Sequence, residues 1–93
     1  MKKYFLDPNT LLGRVVTQNE DYQVVHLSLL AGNEVPKYQN EAKIIIFVIS
    51  GKICLSAGEK LELNALELVE IESKREHAMV AVKDSQLLII KVK

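Results

Sequence analysis

The run Ile44-Ile45-Ile46-Phe47-Val48-Ile49 is apolar at six consecutive positions and is closed by Ser50-Gly51-Lys52, a hairpin-turn signature. A strand with one wet face alternates apolar and polar residues, because successive side chains point to opposite sides of the sheet. This strand has no polar side, so both of its faces require cover. In a chain of 93 residues the inner face is covered by the chain's own core. The outer face is covered either by another part of the chain or by a second copy, and in so short a chain a homodimer is the economical expectation.

The rest of the chain repeats the same grammar of short β-branched runs between turns. Residues 7–9 (Asp-Pro-Asn) and 18–21 (Gln-Asn-Glu-Asp) read as loops around a short strand at 11–17. Residues 22–30 are extended and end at Ala31-Gly32-Asn33. Pro36 then interrupts any ladder, so 33–41 reads as a loop or irregular edge segment. Further strands are expected at 53–57, 61–63, 66–71, 77–82 and 86–92. Ser73-Lys74-Arg75-Glu76 matches a helix capping box. Val80, Val82 and the hairpin signature Lys83-Asp84-Ser85 instead favour a strand for the residues that follow. Many short strands at regular spacing predict an all-β sandwich or barrel. One domain over residues 1–93 is expected, with 1–21 as a leading segment that has room for one short strand.

Charge narrows the function classes. Twelve Lys and Arg balance twelve Asp and Glu, which removes the basic face that nucleic acid requires and the polybasic patch of a membrane anchor. No apolar run reaches the length of a membrane span. Asp7-Pro8-Asn9 breaks the N-terminal segment before a signal peptide can form, so a cytoplasmic location is expected. Cys54 is the only cysteine, so neither an intrachain disulfide nor a cysteine-cluster metal site can form. With no base or positive field nearby in sequence, Cys54 reads as a buried structural thiol rather than a nucleophile.

From Tyr22 to Val92 the pattern resembles the cupin family, and in particular the small RmlC-like jelly rolls. The first cupin motif has a glycine, two histidines flanking one residue, a glutamate on the next strand and a closing glycine. Here Gly32-Asn33-Glu34-Val35-Pro36-Lys37 supplies the opening and Gly51 the close. Tyr38 and Asn40 stand where the two histidines would be, and Ile44 stands where the glutamate would be. The second motif runs from Gly58 to His77, with Leu66-Glu67 in place of its glycine–acid turn and Glu72 in place of its proline. His77 alone falls on a metal-ligand position. The resemblance implies an all-β, cupin-type jelly roll, which is a double-stranded β-helix barrel.

It also implies a site whose chemistry has changed. Isoleucine offers no lone pair, an amide oxygen is a weak neutral ligand, and a phenol must lose a proton of pKa near 10 to bind a metal well. No metal or other cofactor is therefore expected. Tyr38, Asn40, Ile44, Ile46, His77 and Met79 become candidate contacts for a small apolar or weakly polar ligand. By alternation Ile44, Ile46 and Val48 share one face, as do His77, Met79 and Ala81, and each set either lines a pocket or packs a core. His77 and Tyr38 are the candidate acid–base pair if there is catalysis, because an imidazole and a phenol span different pKa ranges. His26 joins His77 only if it faces inward, which the sequence does not fix. Lys74 and Arg75 lie in a mixed-charge loop that is either solvated or able to meet an anion at the barrel mouth. Three functions follow. The first is a metal-free binding or sensing module, the second an interaction or regulatory subunit with a filled barrel, and the third a metal-independent isomerase or epimerase.

Overall fold

The computed structural model describes residues 1–10, 12–38 and 41–93, with residues 37 and 38 described by backbone alone. Asn40 lies outside the described residues. Nine strands follow in chain order: β1 (Leu12–Gln18), β2 (Tyr22–Leu29), β3 (Glu34–Tyr38), β4 (Lys43–Ser50), β5 (Lys52–Ser56), β6 (Lys60–Asn64), β7 (Leu68–Ile71), β8 (His77–Ala81) and β9 (Ser85–Val92). No helix occurs among the described residues. Lys74 explains why the capping-box pattern does not start one. Its φ of +66° is left-handed, which turns the chain back towards β8.

The strands form two antiparallel sheets, one in the order β1-β2-β9-β4-β7 and the other in the order β3-β8-β5-β6. Their facing sides supply the core in cross-strand rows. In the five-stranded sheet Val25, Ile89, Ile46 and Val69 lie side by side, and the next row holds Leu27, Leu87 and Val48. In the four-stranded sheet the rows are Val35, Met79, Leu55, Leu61 and then Ala81, Ile53, Leu63. The buried apolar members of these rows, with partly buried Val25, Leu27, Val35 and Val69 against them, make one cluster. Such rows are the unit of stabilisation in a sheet.

Three turns fix the ends of the sandwich. Gly51 links β4 to β5 at φ +90°, and Ser85 at the start of β9 binds this corner. The buried Ser85 hydroxyl accepts the Lys52 N–H at 3.0 Å and lies 2.7 Å from the Lys83 carbonyl, to which it donates. Gly32 (φ +89°) carries the chain from β2 to β3, and its N–H donates to the Ala81 carbonyl. Between β6 and β7, Leu66 occupies a left-handed position at φ +70°. Its N–H donates to the Val48 carbonyl at 2.7 Å, which binds the turn to β4.

Of the two readings of the segment around Pro36, loop or irregular edge segment, the structure has the second. β3 is an edge strand paired only with β8, and its register shifts between Val35 and Tyr38. Proline is tolerated there because an edge strand has N–H groups with no ladder partner to lose. Residues 66 and 67, read from sequence as the start of a strand, belong to the turn before β7.

Candidate functional site

Of the residues singled out in the sequence, those on β4 and β8 turn into the barrel interior. His77, Met79 and Ala81 alternate as buried positions on the inner side of β8, and Ile44, Ile46 and Val48 do the same on β4. Tyr38 stands in register opposite His77 on the β3–β8 ladder, and Ile44 stands opposite Ile71 on the β4–β7 ladder.

His77 is 1% exposed. Its Nδ1 lies 3.3 Å from the carbonyl oxygen of Arg75. A carbonyl can only accept, so Nδ1 is the donor in this contact. A cleft of about 360 Å³ lined by Ser56, Gly58, Glu76, His77 and Ala78 opens beside it. A smaller cleft of about 90 Å³ reaches the inner side chains Leu55, Leu61, Val69 and Ile71 between the edge strands β6 and β7. Arg75 stands at its rim, donating from Nη2 to the Ala57 carbonyl, while Lys74 pairs with Glu41 at 3.8 Å. Both cations of this loop therefore tie structure together at the mouth.

Deeper in the barrel the described side chains are closely packed. Ile46, Val48, Ile53 and Leu87 are 0% exposed and Ile44 is 1% exposed. A void able to admit water would expose part of the side chains that line it. Ile44, Ile46 and Met79 accordingly pack the core, and they offer essentially no surface to a ligand.

His26 faces away from His77. It pairs with Leu88 on β9, on the side opposite to the inward Leu87 and Ile89. It is nevertheless buried (2% exposed), in a polar network on the outer side of the five-stranded sheet. Gln86 Nε2 donates to Ser28 Oγ at 2.6 Å and to the Pro8 carbonyl at 3.3 Å. That leaves Gln86 Oε1 to accept from His26 Nε2 at 2.6 Å. The N-terminal segment crosses this side of the sheet, and its Tyr4 hydroxyl is bonded to Thr17 Oγ1 at 3.2 Å. A two-histidine site is ruled out by this geometry.

Cys54 is only half-buried, correcting the buried reading. It lies on the outer side of the four-stranded sheet, beside Val80 and Glu62, while its neighbours Ile53 and Leu55 face the core.

The outer side of the five-stranded sheet also carries apolar side chains, which are partly buried except at exposed Leu68. One row holds Val24, Ile90 and Ile45, and the next holds Leu88, Phe47 and Leu68. With Ile49 they form a continuous apolar band across four strands. Leu68 is 59% exposed and the flanking Tyr22 and Val92 are 41% and 39% exposed.

The backbone matches solved structures closely. An RmlC-like cupin family protein with a double-stranded β-helix fold from Methanocaldococcus jannaschii superposes with a TM-score of 0.87 at 16% identity, covering 99% of this chain and 90% of that one. A cupin superfamily protein from Desulfitobacterium hafniense gives 0.84 at 16% identity, over 92% and 80% of the two chains. A conserved protein of unknown function from Streptococcus pyogenes gives 0.83 at 21% identity, over 96% and 79%. The chain therefore has the cupin fold. No protein-family model and no curated protein matches its sequence.

The metal that the cupin resemblance implies does not fit the residues present. Among the described residues no group of three His, Cys, Asp or Glu could hold an ion. Ile44 fills the carboxylate position with a packed alkyl group, and the two histidines lie on opposite sides of a sheet. Divalent first-row metals need several deprotonated donors converging on one point.

Proposed function

We propose that the protein is an interaction or regulatory module built on a cupin fold, acting through its outer surface without a metal. The observation that carries this reading is the filled interior: four core side chains spanning both sheets have no accessible surface at all. Binding sites for small molecules are concave and typically of about 300–1,000 Å³, and the centre of this barrel has no such space. The test is a thermal-shift screen of the purified chain against zinc, nickel, manganese and iron and a library of small metabolites. The expected result is no saturable stabilisation, and a saturable, stoichiometric ligand would contradict the reading.

A second reading is favoured by a specific pair of observations. Tyr38 is in register with His77, and a cleft of about 360 Å³ touches His77. A small ligand held at the mouth, bound or isomerised by these two residues, would use that cleft. It would contact His77 and Ser56, while Ile46 and Met79 stayed in the core. Loss of a discovered ligand on His77→Gln, with the fold intact, would establish this alternative.

A further inference from the structure

We propose that the N-terminal segment, residues 1–10, is a detachable strap that closes over His26 and controls access to the outer side of the five-stranded sheet. This rests on the reading of the domain as a module that acts through its outer surface, and it names the regulation of that surface.

His26 lies on the outer side, in a row that runs from Arg14 through His26, Leu88 and Phe47 to Leu68. An outward side chain on an uncovered antiparallel sheet meets water. Leu68, at one end of the row, is 59% exposed, whereas His26 is 2% exposed. Its cover is not another strand, since residues 1–10 form none. They reach the sheet through two hydrogen bonds. The Tyr4 hydroxyl meets Thr17 Oγ1 on β1 at 3.2 Å, and the Pro8 carbonyl accepts from Gln86 Nε2 on β9 at 3.3 Å. Gln86 Oε1 accepts from His26 Nε2 at 2.6 Å, so strap, amide and imidazole form one hydrogen-bonded chain.

The strap is held weakly and leaves the sheet through a strained position. Both of its bonds to the sheet are longer than the usual range for their donors. Its aromatic rings bury little, with Tyr4 47% and Phe5 76% exposed. At the start of β1, Leu12 stands at φ +61° and is 66% exposed. A left-handed leucine with so little packing is strained, and an undocked segment is free to relax it. Segments with few buried apolar contacts and no ladder bonds open locally, at far less than the cost of global unfolding. Opening bares His26, Ser28 and Gln86, with Arg14 in register beside His26. The closed strap withholds these polar groups from a partner, and the Pro8 carbonyl occupies the Gln86 amide that a partner would use.

Histidine modification of the full chain by diethyl pyrocarbonate, read by peptide mass spectrometry, tests the strap. His26 and His77 are the only histidines and both are buried, but strap opening bares His26 alone. Tyr4→Ala on the strap and Thr17→Val on the sheet each remove one hydrogen bond at positions outside the His26 row. Each is expected to speed the modification of His26 by about three- to tenfold, the equivalent of one lost bond, and to leave the rate at His77 unchanged. Both variants should retain the far-ultraviolet dichroism of the parent. Low urea gives a second readout on the wild-type chain. Local opening exposes little surface, so the His26 rate should stay flat while that of His77 rises with global unfolding. Equal His26 rates in the parent and both variants overturn the proposal. So does a His26 rate that climbs with urea in step with His77, since the cover then leaves only when the whole fold does. A saturable metabolite bound at the mouth would sink the interaction-module reading and leave the strap standing.

Discussion

Gly51 and Ser85 meet where the β4–β5 corner crosses the start of β9. A Cβ built on Gly51 would lie 2.3 Å from Ser85 Oγ and equally close to the Asp84 carbonyl oxygen. The close approach is what lets one hydroxyl serve the Lys52 N–H on one turn and the Lys83 carbonyl on the other. Gly51→Ala adds both a clash and a positive-φ penalty, and it is expected to destabilise the fold by at least about 2 kcal/mol. Ser85→Ala keeps the packing and strands the Lys52 N–H, for an expected loss of about 1–3 kcal/mol. Urea unfolding of both variants checks the order.

Leu66 is the opposite case, a residue whose backbone suits glycine better. Its φ is +70° and its side chain is 77% exposed, so little packing offsets the strain. The left-handed region costs an L-residue about 1–2 kcal/mol, of which glycine's greater unfolded-state freedom cancels roughly half. Leu66→Gly should stabilise the protein by about 0.5–1 kcal/mol. A lower urea midpoint at unchanged slope would refute this.

Ile46 tests whether the interior is solid. Truncation to alanine leaves a cavity in a row shared with Ile89 and Val69, with an expected cost of about 2–5 kcal/mol. A near-neutral result would mean that the side chain borders open space.

Ile44→Glu restores the acid at the position where the cupin resemblance places a metal ligand. At 1% exposure the new carboxylate has no cation to pair with in the core. The expected loss is on the order of 3 kcal/mol or more, with no recovery on adding zinc or manganese. Recovery of stability with metal, read by thermal unfolding, would show that the mouth still presents enough donors.

Much of the fold was legible because the turns are strong and the strands between them short. Ile44 to Ile49 announced a strand with two dry faces, and the structure gives it Leu87 and Ile89 on one side of the sheet and an apolar outer band on the other. The alternation of Lys52, Cys54 and Ser56 with Ile53 and Leu55 also carries the outward facing of Cys54, which the apolar character of a thiol masks. The facing of His26 is weakly written in the sequence: Val25, Leu27 and Leu29 share the inward parity and His26 and Ser28 the outward one. Its 2% exposure on the outer side depends on the distant N-terminal segment and Gln86, which local pattern does not show. Pro36 leaves loop and irregular edge strand open, because its effect depends on whether a strand is central or at an edge, which is a property of topology. The docking of Pro8 on Gln86, 78 residues away, leaves no trace in local pattern at all.

The central claim is that this barrel works from its outside, and methyl-resolved NMR during ligand addition tests it most directly. The methyl signals of Ile46, Val48 and Leu87 are predicted to stay fixed on addition of metals and metabolites. Saturable shifts of these signals on adding a metal or small molecule would contradict it.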